Sequence, residues 1–361
     1  MPQTRSRKMK RRLILCVVCA IVLFVIVIST DGDFIQRVSL LVDLGDPNDV
    51  TCYYENNAAN FLPNYYSGSD AEEPRNDRNI FFHETSCFNE DSLILNARQA
   101  CAVESAAKMN PNMKVYLFFL SAARTSNQSR DIFDLLQTYP NIKIKHIYPE
   151  EYVKNTPLEL WYKSGMLRTS RWPRSHMSDM LRYLTLWKYG GIYLDLDVIV
   201  TTSLERLTNF AGAEDWDDVA AGVMGFDMSS LGRRMADACI RDFKTNFRGY
   251  DWGNNGPGVI TRTLQNICST KYARDMTTAR CHGFKVFPPS AFYPIHYKNW
   301  KMYFETKDKN ATMKMLERAM AIHVWNKLSK SEEVRVNSDV PYAVIARRHC
   351  PIVFNNCGTV F

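Results

Sequence analysis

Two carboxylates one residue apart, Asp195 and Asp197, lie in the run Gly190-Gly-Ile-Tyr-Leu-Asp-Leu-Asp-Val-Ile-Val200. Its apolar, β-branched character predicts a strand over 192–200. Strand residues alternate faces, so Ile192, Leu194, Leu196, Val198 and Val200 share one face, and Tyr193, Asp195 and Asp197 the other. On that pattern the two carboxylates stand ~6.6 Å apart on one side of a core strand. Burying both unpaired is costly, so they call for a cation or a polar ligand. Hard oxygen donors suit Mg²⁺ or Mn²⁺, and such an ion can bridge the phosphates of a nucleotide. The competing explanation is a solvated strand end, or a carboxylate paired with an arginine.

The elements around this pair must place it. Ser178 to Tyr189 predicts a helix with Leu181, Leu184 and Trp187 on one face and Gly190 as its C-terminal cap. Asp179 and Arg182 are three residues apart on that helix, so they share a face and can reach the cleft that the acid pair lines. A local ion pair on a solvated face would show the same spacing. Upstream, Ile80–Phe82 predicts a strand, Asn96–Met109 a helix, and Lys114–Leu120 and Asn141–Ile147 two further strands. Short strands are expected near Ala220–Phe226, Phe284–Phe287 and Ala321–Trp325. Strands alternating with helices predict an α/β fold with a mainly parallel central sheet and ligands at the strands' C-terminal ends.

The stretch SDMLRYLTLWKYGGIYLDLDVIV resembles the sugar-nucleotide signature of the Asp-x-Asp glycosyltransferases, which have a GT-A-like fold. HETSC, ACAVESAA, WYKSG, WGNNGPG, FPPSAFYPI and AIHVWNK, in that order from about Ile80 to Pro351, resemble one branch, the α-1,4-glycosyltransferase family. This branch covers enzymes of the lactosylceramide 4-α-galactosyltransferase and α-1,4-N-acetylglucosaminyltransferase type. The resemblance implies a retaining Golgi enzyme that moves galactose or N-acetylgalactosamine from UDP-Gal or UDP-GalNAc to the terminal sugar of a glycosphingolipid. The alternative within the branch is α-1,4-GlcNAc transfer to glycoprotein glycans.

The resemblance also implies roles. Asp197 binds Mn²⁺, with His323 of His-Val-Trp-Asn326 as the late metal ligand. Asp195 contacts the donor's ribose or sugar. Asp179, Arg182 and Tyr193 hold the donor sugar and diphosphate, Trp325 closes over the diphosphate, and His83 to Ser86 stand by position where uridine is held. In Trp252-Gly-Asn-Asn-Gly-Pro257, Trp252 and Asn254 face the acceptor. Asn255 stands where the family often has a glutamine, one methylene longer, and is the candidate amide at the reacting centre. No residue is an evident nucleophile, so same-face attack by the acceptor, with the leaving phosphate taking its proton, is the expected route. Arg182 and a divalent ion would neutralise the departing diphosphate.

The 361 residues are 46% hydrophobic and 23% charged, which excludes global disorder and a polytopic membrane bundle. Six of the 45 basic residues lie in residues 1–12, leaving 39 against 38 acids in the rest, so a nucleic-acid-binding body is excluded. Leu13 to Ile28 is an unbroken apolar run. With Ser29 and Thr30 it spans roughly 27 Å as a helix, enough for a thin secretory-pathway bilayer. The basic flank marks the cytosolic side. The expected order is a cytosolic tail (1–12), a signal anchor (13–30), a Pro-, Gly- and Asn-rich lumenal stem (31–79) and a catalytic domain (80–361) in the Golgi lumen. A homo-oligomer is compatible with this layout. Eight cysteines beyond the apolar run suit lumenal disulfides. Asn127 and Asn310 head glycosylation triplets.

Three other readings compete. A haloacid-dehalogenase-like phosphatase also uses Asp-x-Asp, but its motif continues to Thr or Val where Ile199 stands. Its second motif could be imitated by Glu214-Asp-Trp-Asp-Asp218, which reads as a solvated loop. A glycosidase would draw its two carboxylates from separate elements. A lectin or scaffold would not turn over a UDP-sugar.

Overall fold

The computed structural model describes residues 50, 53, 74, 78–86, 92–93, 95–120, 124–125 and 127–361. The predicted tail and anchor, and most of the predicted stem, lie outside them. Among the described residues no helix is long and apolar enough to cross a membrane.

The elements that build the site follow in chain order. Strand β1 is Asn79–Glu84, helix α1 Ala97–Met109, β2 Lys114–Phe119, α2 Asn127–Gln137 and β3 Ile142–His146. Helix α3 is Pro173–Tyr189, β4 Gly191–Leu194, β5 Val198–Val200, β6 Phe210–Ala213 and β7 Val219–Phe226. Then come α4 (Ser230–Asn246), α5 (Pro257–Cys268), β8 (Lys285–Phe287), β9 (Ala321–His323), α6 (Pro341–His349) and α7 (Pro351–Asn356). The central sheet has seven strands in the order β8-β6-β7-β4-β1-β2-β3. Four of its six pairings are parallel, and β7 runs antiparallel to both neighbours. The expected mainly parallel sheet is present.

Both faces of the sheet are covered, which is why its central strands read as continuous apolar runs. In β1, Phe81 joins a cluster with Tyr116, Phe118, Leu181, Leu184 and Tyr193, while Ile80 and Phe82 join the opposite one with Val103, Leu117 and Ile192. Helix α1 starts where Asn96 caps it. The Asn96 side chain accepts from the Gln99 N–H, and the Gln99 side chain accepts from the Asn96 N–H. Helix α3 begins five residues before the predicted start, with Pro173 at its first turn. It ends at Gly190 (φ 66°), whose N–H donates to Leu186 O at 2.9 Å.

Val50 and Tyr53, from the segment read as stem, are buried in the same cluster as Phe81, and the Tyr53 hydroxyl donates to Thr85 O. Disulfides join Cys101 to Cys350 and Cys268 to Cys281. Cys101–Cys350 ties α1 to the junction of α6 and α7, which are far apart in sequence. Cys239 and Cys357 are thiols.

Candidate active site

The predicted strand over 192–200 does not exist as one element. It stops at Leu194, turns through Asp195-Leu196-Asp197, and resumes as β5. The Val198 N–H donates to Asp195 O at 3.0 Å and closes that turn. The two carboxylates therefore do not share a strand face. A turn brings them together instead, and strand β9 completes the group. β9 pairs antiparallel with β5, with His323 opposite Val198. His323 Nε2 lies 3.2 Å from Asp197 Oδ1 and 3.7 Å from Asp195 Oδ2. One donor atom from each of Asp195, Asp197 and His323 falls within 4.8 Å of the other two.

Each member is held from behind. Asp197 accepts from the Asn326 N–H at 2.8 Å through Oδ2, and its carbonyl accepts from the Val324 N–H at 2.9 Å. Trp325, between them, has φ 58°, a left-handed conformation that a bulky residue adopts only when its surroundings enforce it. Its indole N–H donates to Ile295 O at 2.8 Å, and its ring lies 4.3 Å from the His323 ring. Asp195 accepts from the Tyr193 hydroxyl at 2.7 Å, and its N–H donates to Gly222 O at 2.9 Å.

The α3 pair reaches this group, as its spacing predicted. Arg182 contacts Asp195 at 3.1 Å and Asp179 at 3.2 Å, and it donates to Ala221 O at 3.0 Å and to the Ser178 hydroxyl at 3.0 Å. Its guanidinium also lies over the Tyr193 ring, 4.8 Å from the centroid. Its charge is thus already matched by two carboxylates. His83 packs against Tyr193 with ring centroids 5.1 Å apart, and its Nε2 shares a hydrogen bond with Thr185 Oγ1 at 3.0 Å.

The electrostatics follow from burial and these partners. Burial would raise the Asp195 carboxyl, but Arg182 and then His323 outweigh it and hold Asp195 well below the usual carboxylate range. Burial pushes Asp197 up, only partly offset by His323. Burial opposes a charge on His323, yet the acid pair raises it above an ordinary histidine. Burial lifts Asp179 to about 7 despite Arg182, and burial followed by Arg182 drops His83 to about 3.

The Trp252–Pro257 loop docks on α3. Gly256 O accepts from the Tyr183 hydroxyl at 2.6 Å, and a β-carbon on Gly256 would run into Asp179 Oδ1. Trp252 is 37% exposed, with its indole N–H 3.4 Å from Ser175 Oγ. The two asparagines are buried and spent on the loop and the helices that flank it. Asn255 accepts from the Arg248 N–H at 2.9 Å and donates to Arg248 O at 2.8 Å. Asn254 donates to Asn246 O at 2.7 Å and accepts from Arg262 at 3.0 Å. Both amides therefore shape the loop in this structure.

Sequence reasoning missed several neighbours of the group. Glu214, read as part of a solvated loop, is half-buried at the end of β6, and burial raises its carboxyl to about 7. Gly222, lacking a side chain, lets Asp195, His323 and Tyr293 pack close to its backbone. A β-carbon there would meet Asp195 Oδ2 at 2.8 Å, the His323 ring at 3.1 Å and the Tyr293 hydroxyl at 3.2 Å. Tyr293 and Asn326 stood in motifs already noticed, but nothing in their spacing revealed that they meet here. Asn310 is exposed on the helix Lys309–Leu316. Asn127 begins α2.

Two oxygen donors and one imidazole fit a hard or borderline divalent cation. The half-buried acids fit one as well, since a cation between them would offset the cost that burial puts on the Asp197 charge.

Comparison with known proteins decides the family. Residues 228–357 match the alpha 1,4-glycosyltransferase conserved region, and residues 96–215 match the glycosyltransferase sugar-binding region containing the DXD motif. Rat lactosylceramide 4-alpha-galactosyltransferase is 34% identical over 76% of this chain and 74% of its own length. The chain belongs to the α-1,4-glycosyltransferase family. The human lactosylceramide enzyme is 33% identical over 76% of this chain and 75% of its own. Human alpha-1,4-N-acetylglucosaminyltransferase is 28% identical over 77% and 80%. As a member of this family the chain is a glycosyltransferase built on a mainly parallel sheet, and the phosphatase alternative finds no support.

Proposed function

We propose that this glycosyltransferase moves galactose or N-acetylgalactosamine from a UDP-sugar to the terminal sugar of a glycosphingolipid, with Mn²⁺ bound and with retention of the α configuration. The observation that carries the reading is the convergence of Asp195, Asp197 and His323 beside Arg182, in a chain related to lactosylceramide 4-alpha-galactosyltransferase. Asp197 and His323 are the metal ligands, with Asp195 at the edge of the group facing the donor's ribose or sugar. A bound divalent cation would supply positive charge against the nucleotide diphosphate.

The chain's own groups do the remaining positioning. Arg182 holds Asp195 ionised and fixed and keeps Asp179 beside it, so its contribution to the donor passes through these carboxylates. Tyr193 locks Asp195 from the strand side. Buried, uncharged His83, its ring packed against Tyr193 and Phe118, would back the nucleoside end from behind Tyr193. Trp325, pinned by Ile295, walls the diphosphate end. Trp252 gives the acceptor sugar an exposed aromatic surface. Asn254 and Asn255 hold the loop that presents it. The acceptor hydroxyl attacks the anomeric carbon from the face the nucleotide leaves. The carbon–oxygen bond to phosphate breaks as the new glycosidic bond forms, and the hydroxyl proton passes to the departing phosphate.

The apolar run at 13–30 would anchor the enzyme as a single-pass protein with its catalytic part in the Golgi lumen, where Asn127 and exposed Asn310 would carry glycans. The test incubates the purified enzyme and Mn²⁺ with UDP-Gal, UDP-GalNAc and UDP-GlcNAc against glycolipids and glycoprotein glycans, and reads the linkage by NMR. An α-1,4-linked galactose or N-acetylgalactosamine on a glycolipid is expected. Transfer of GlcNAc to glycoprotein glycans alone would replace this reading with the other branch activity.

A further inference from the structure

The Tyr293 hydroxyl is buried without a hydrogen-bond partner. The side chain is 2% exposed, and its ring is wedged against His323 and Trp325, with centroids 5.5 and 5.9 Å away. The oxygen stands close to the acid–histidine trio, since one point, the place of an added β-carbon on Gly222, lies 3.2 Å from it, 2.8 Å from Asp195 Oδ2 and 3.1 Å from the His323 ring. Two members of the acid–histidine trio and one orphan hydroxyl thus crowd together against the backbone of Gly222. Buried polar groups are almost always paired, and an orphan at such a spot calls for a partner from outside the chain. The Asn326 side-chain oxygen, adjoining the same group, is a second buried atom without a partner. The neighbours cannot do the work of the hydroxyl: the carboxylates only accept, and Arg182 is engaged on all sides.

We infer that Tyr293 is a ligand-binding residue of this site, its hydroxyl donating to an oxygen held beside Asp195 and His323. That oxygen belongs either to a metal-bound water or to a phosphate of the nucleotide. The inference rests on the reading of the trio as a cation and sugar-nucleotide site, and it names the group that fixes the bound oxygen. A tyrosine hydroxyl keeps its proton at neutral pH, so it is available as a donor.

Tyr293→Phe removes that one atom and keeps the ring between its neighbours. Calorimetric titrations of wild type and variant with Mn²⁺ alone, and with UDP in the presence of Mn²⁺, test the inference, together with melting of both proteins free of ligand. The ligand-free variant should melt at or above the wild-type temperature, because the deleted oxygen had no partner. Its affinity should fall about ten-fold or more, the usual effect of losing a hydrogen bond to a charged group. A loss already present with Mn²⁺ alone assigns the oxygen to bound water, and a loss seen only with UDP assigns it to phosphate. Equal affinities for both titrants, or a variant that melts well below wild type without ligand, would overturn the inference and leave the site reading intact. A wild type that binds neither Mn²⁺ nor UDP would overturn that reading and the inference with it.

Discussion

Arg182 Nη1 stands 3.1 Å from Asp195 Oδ1, and both side chains are largely withdrawn from water. The same guanidinium reaches Asp179 at 3.2 Å, so one cation serves two carboxylates from two different elements. Removing one partner of a buried ion pair strands the other, at a cost of about 3–5 kcal/mol. Arg182→Gln should lose stability of that order in urea unfolding, since it strands two acids. Arg182→Lys should fall between, because a point-like ammonium cannot span both carboxylates as the planar fork does.

Asp197 shows the opposite relation between stability and activity. Burial raises its carboxyl, so the folded state bears the cost of its charge. Asp197→Asn should leave the melting temperature unchanged or higher, while kcat/KM at saturating UDP-sugar falls by about 100-fold or more for want of a metal ligand. A loss of melting temperature in step with activity would point to a structural role instead.

Gly222 lets Asp195 pack close to its backbone. Gly222→Ala would drive a β-carbon to within 2.8 Å of Asp195 Oδ2, on a carboxylate that Arg182 Nη1 holds at 3.4 Å through Oδ2 and 3.1 Å through Oδ1. Mn²⁺ affinity, followed by titration, should drop about 10–100-fold, the range seen when the support of a metal ligand is disturbed.

His176 offers a pH test away from the acid group. It lies in α3 with its Nδ1 against Ser170 Oγ at 2.7 Å, and burial lowers it to about 4 from an ordinary 6.5. Below pH 6.5 the unfolded chain takes up a proton that the folded chain refuses, so the histidine's contribution is complete above 6.5 and fades as pH falls towards 4. The stability difference between wild type and His176→Gln should therefore shrink with acidification, by about 1.4 kcal/mol per pH unit across that window. Denaturant midpoints at pH 7, 6 and 5 would show it.

Much of the scaffold was legible in the sequence because local signals agreed with the tertiary structure. Asn96 caps α1, Gly190 ends α3, and the doubly buried strands β1 and β2 read as apolar runs. The break at Asp195–Asp197 was not legible. Leu196 and Val198 continue the apolar alternation through a turn that contains neither glycine nor proline, and the hydrogen bonds that impose it come partly from β7 and from the segment after β9. The metal-ligand group was half legible. The acid pair and His323 belong to recognisable motifs, but Glu214, Gly222 and Tyr293 reach the same place through strand pairings and packing that no local pattern encodes. Asn254 and Asn255 stood out as polar side chains in a glycine-rich loop, a pattern that serves loop architecture as readily as sugar binding.

A divalent cation held by Asp197 and His323, with Asp195 beside it, is the central requirement of this reaction, and metal removal tests it most directly. Purified enzyme is stripped by exhaustive chelation and assayed for transfer from its UDP-sugar, then assayed again after Mn²⁺ is restored, with Asp197→Asn alongside. The account predicts no transfer after stripping, recovery of the wild type with Mn²⁺, and no recovery of the variant. Full transfer by the stripped wild-type enzyme would contradict it.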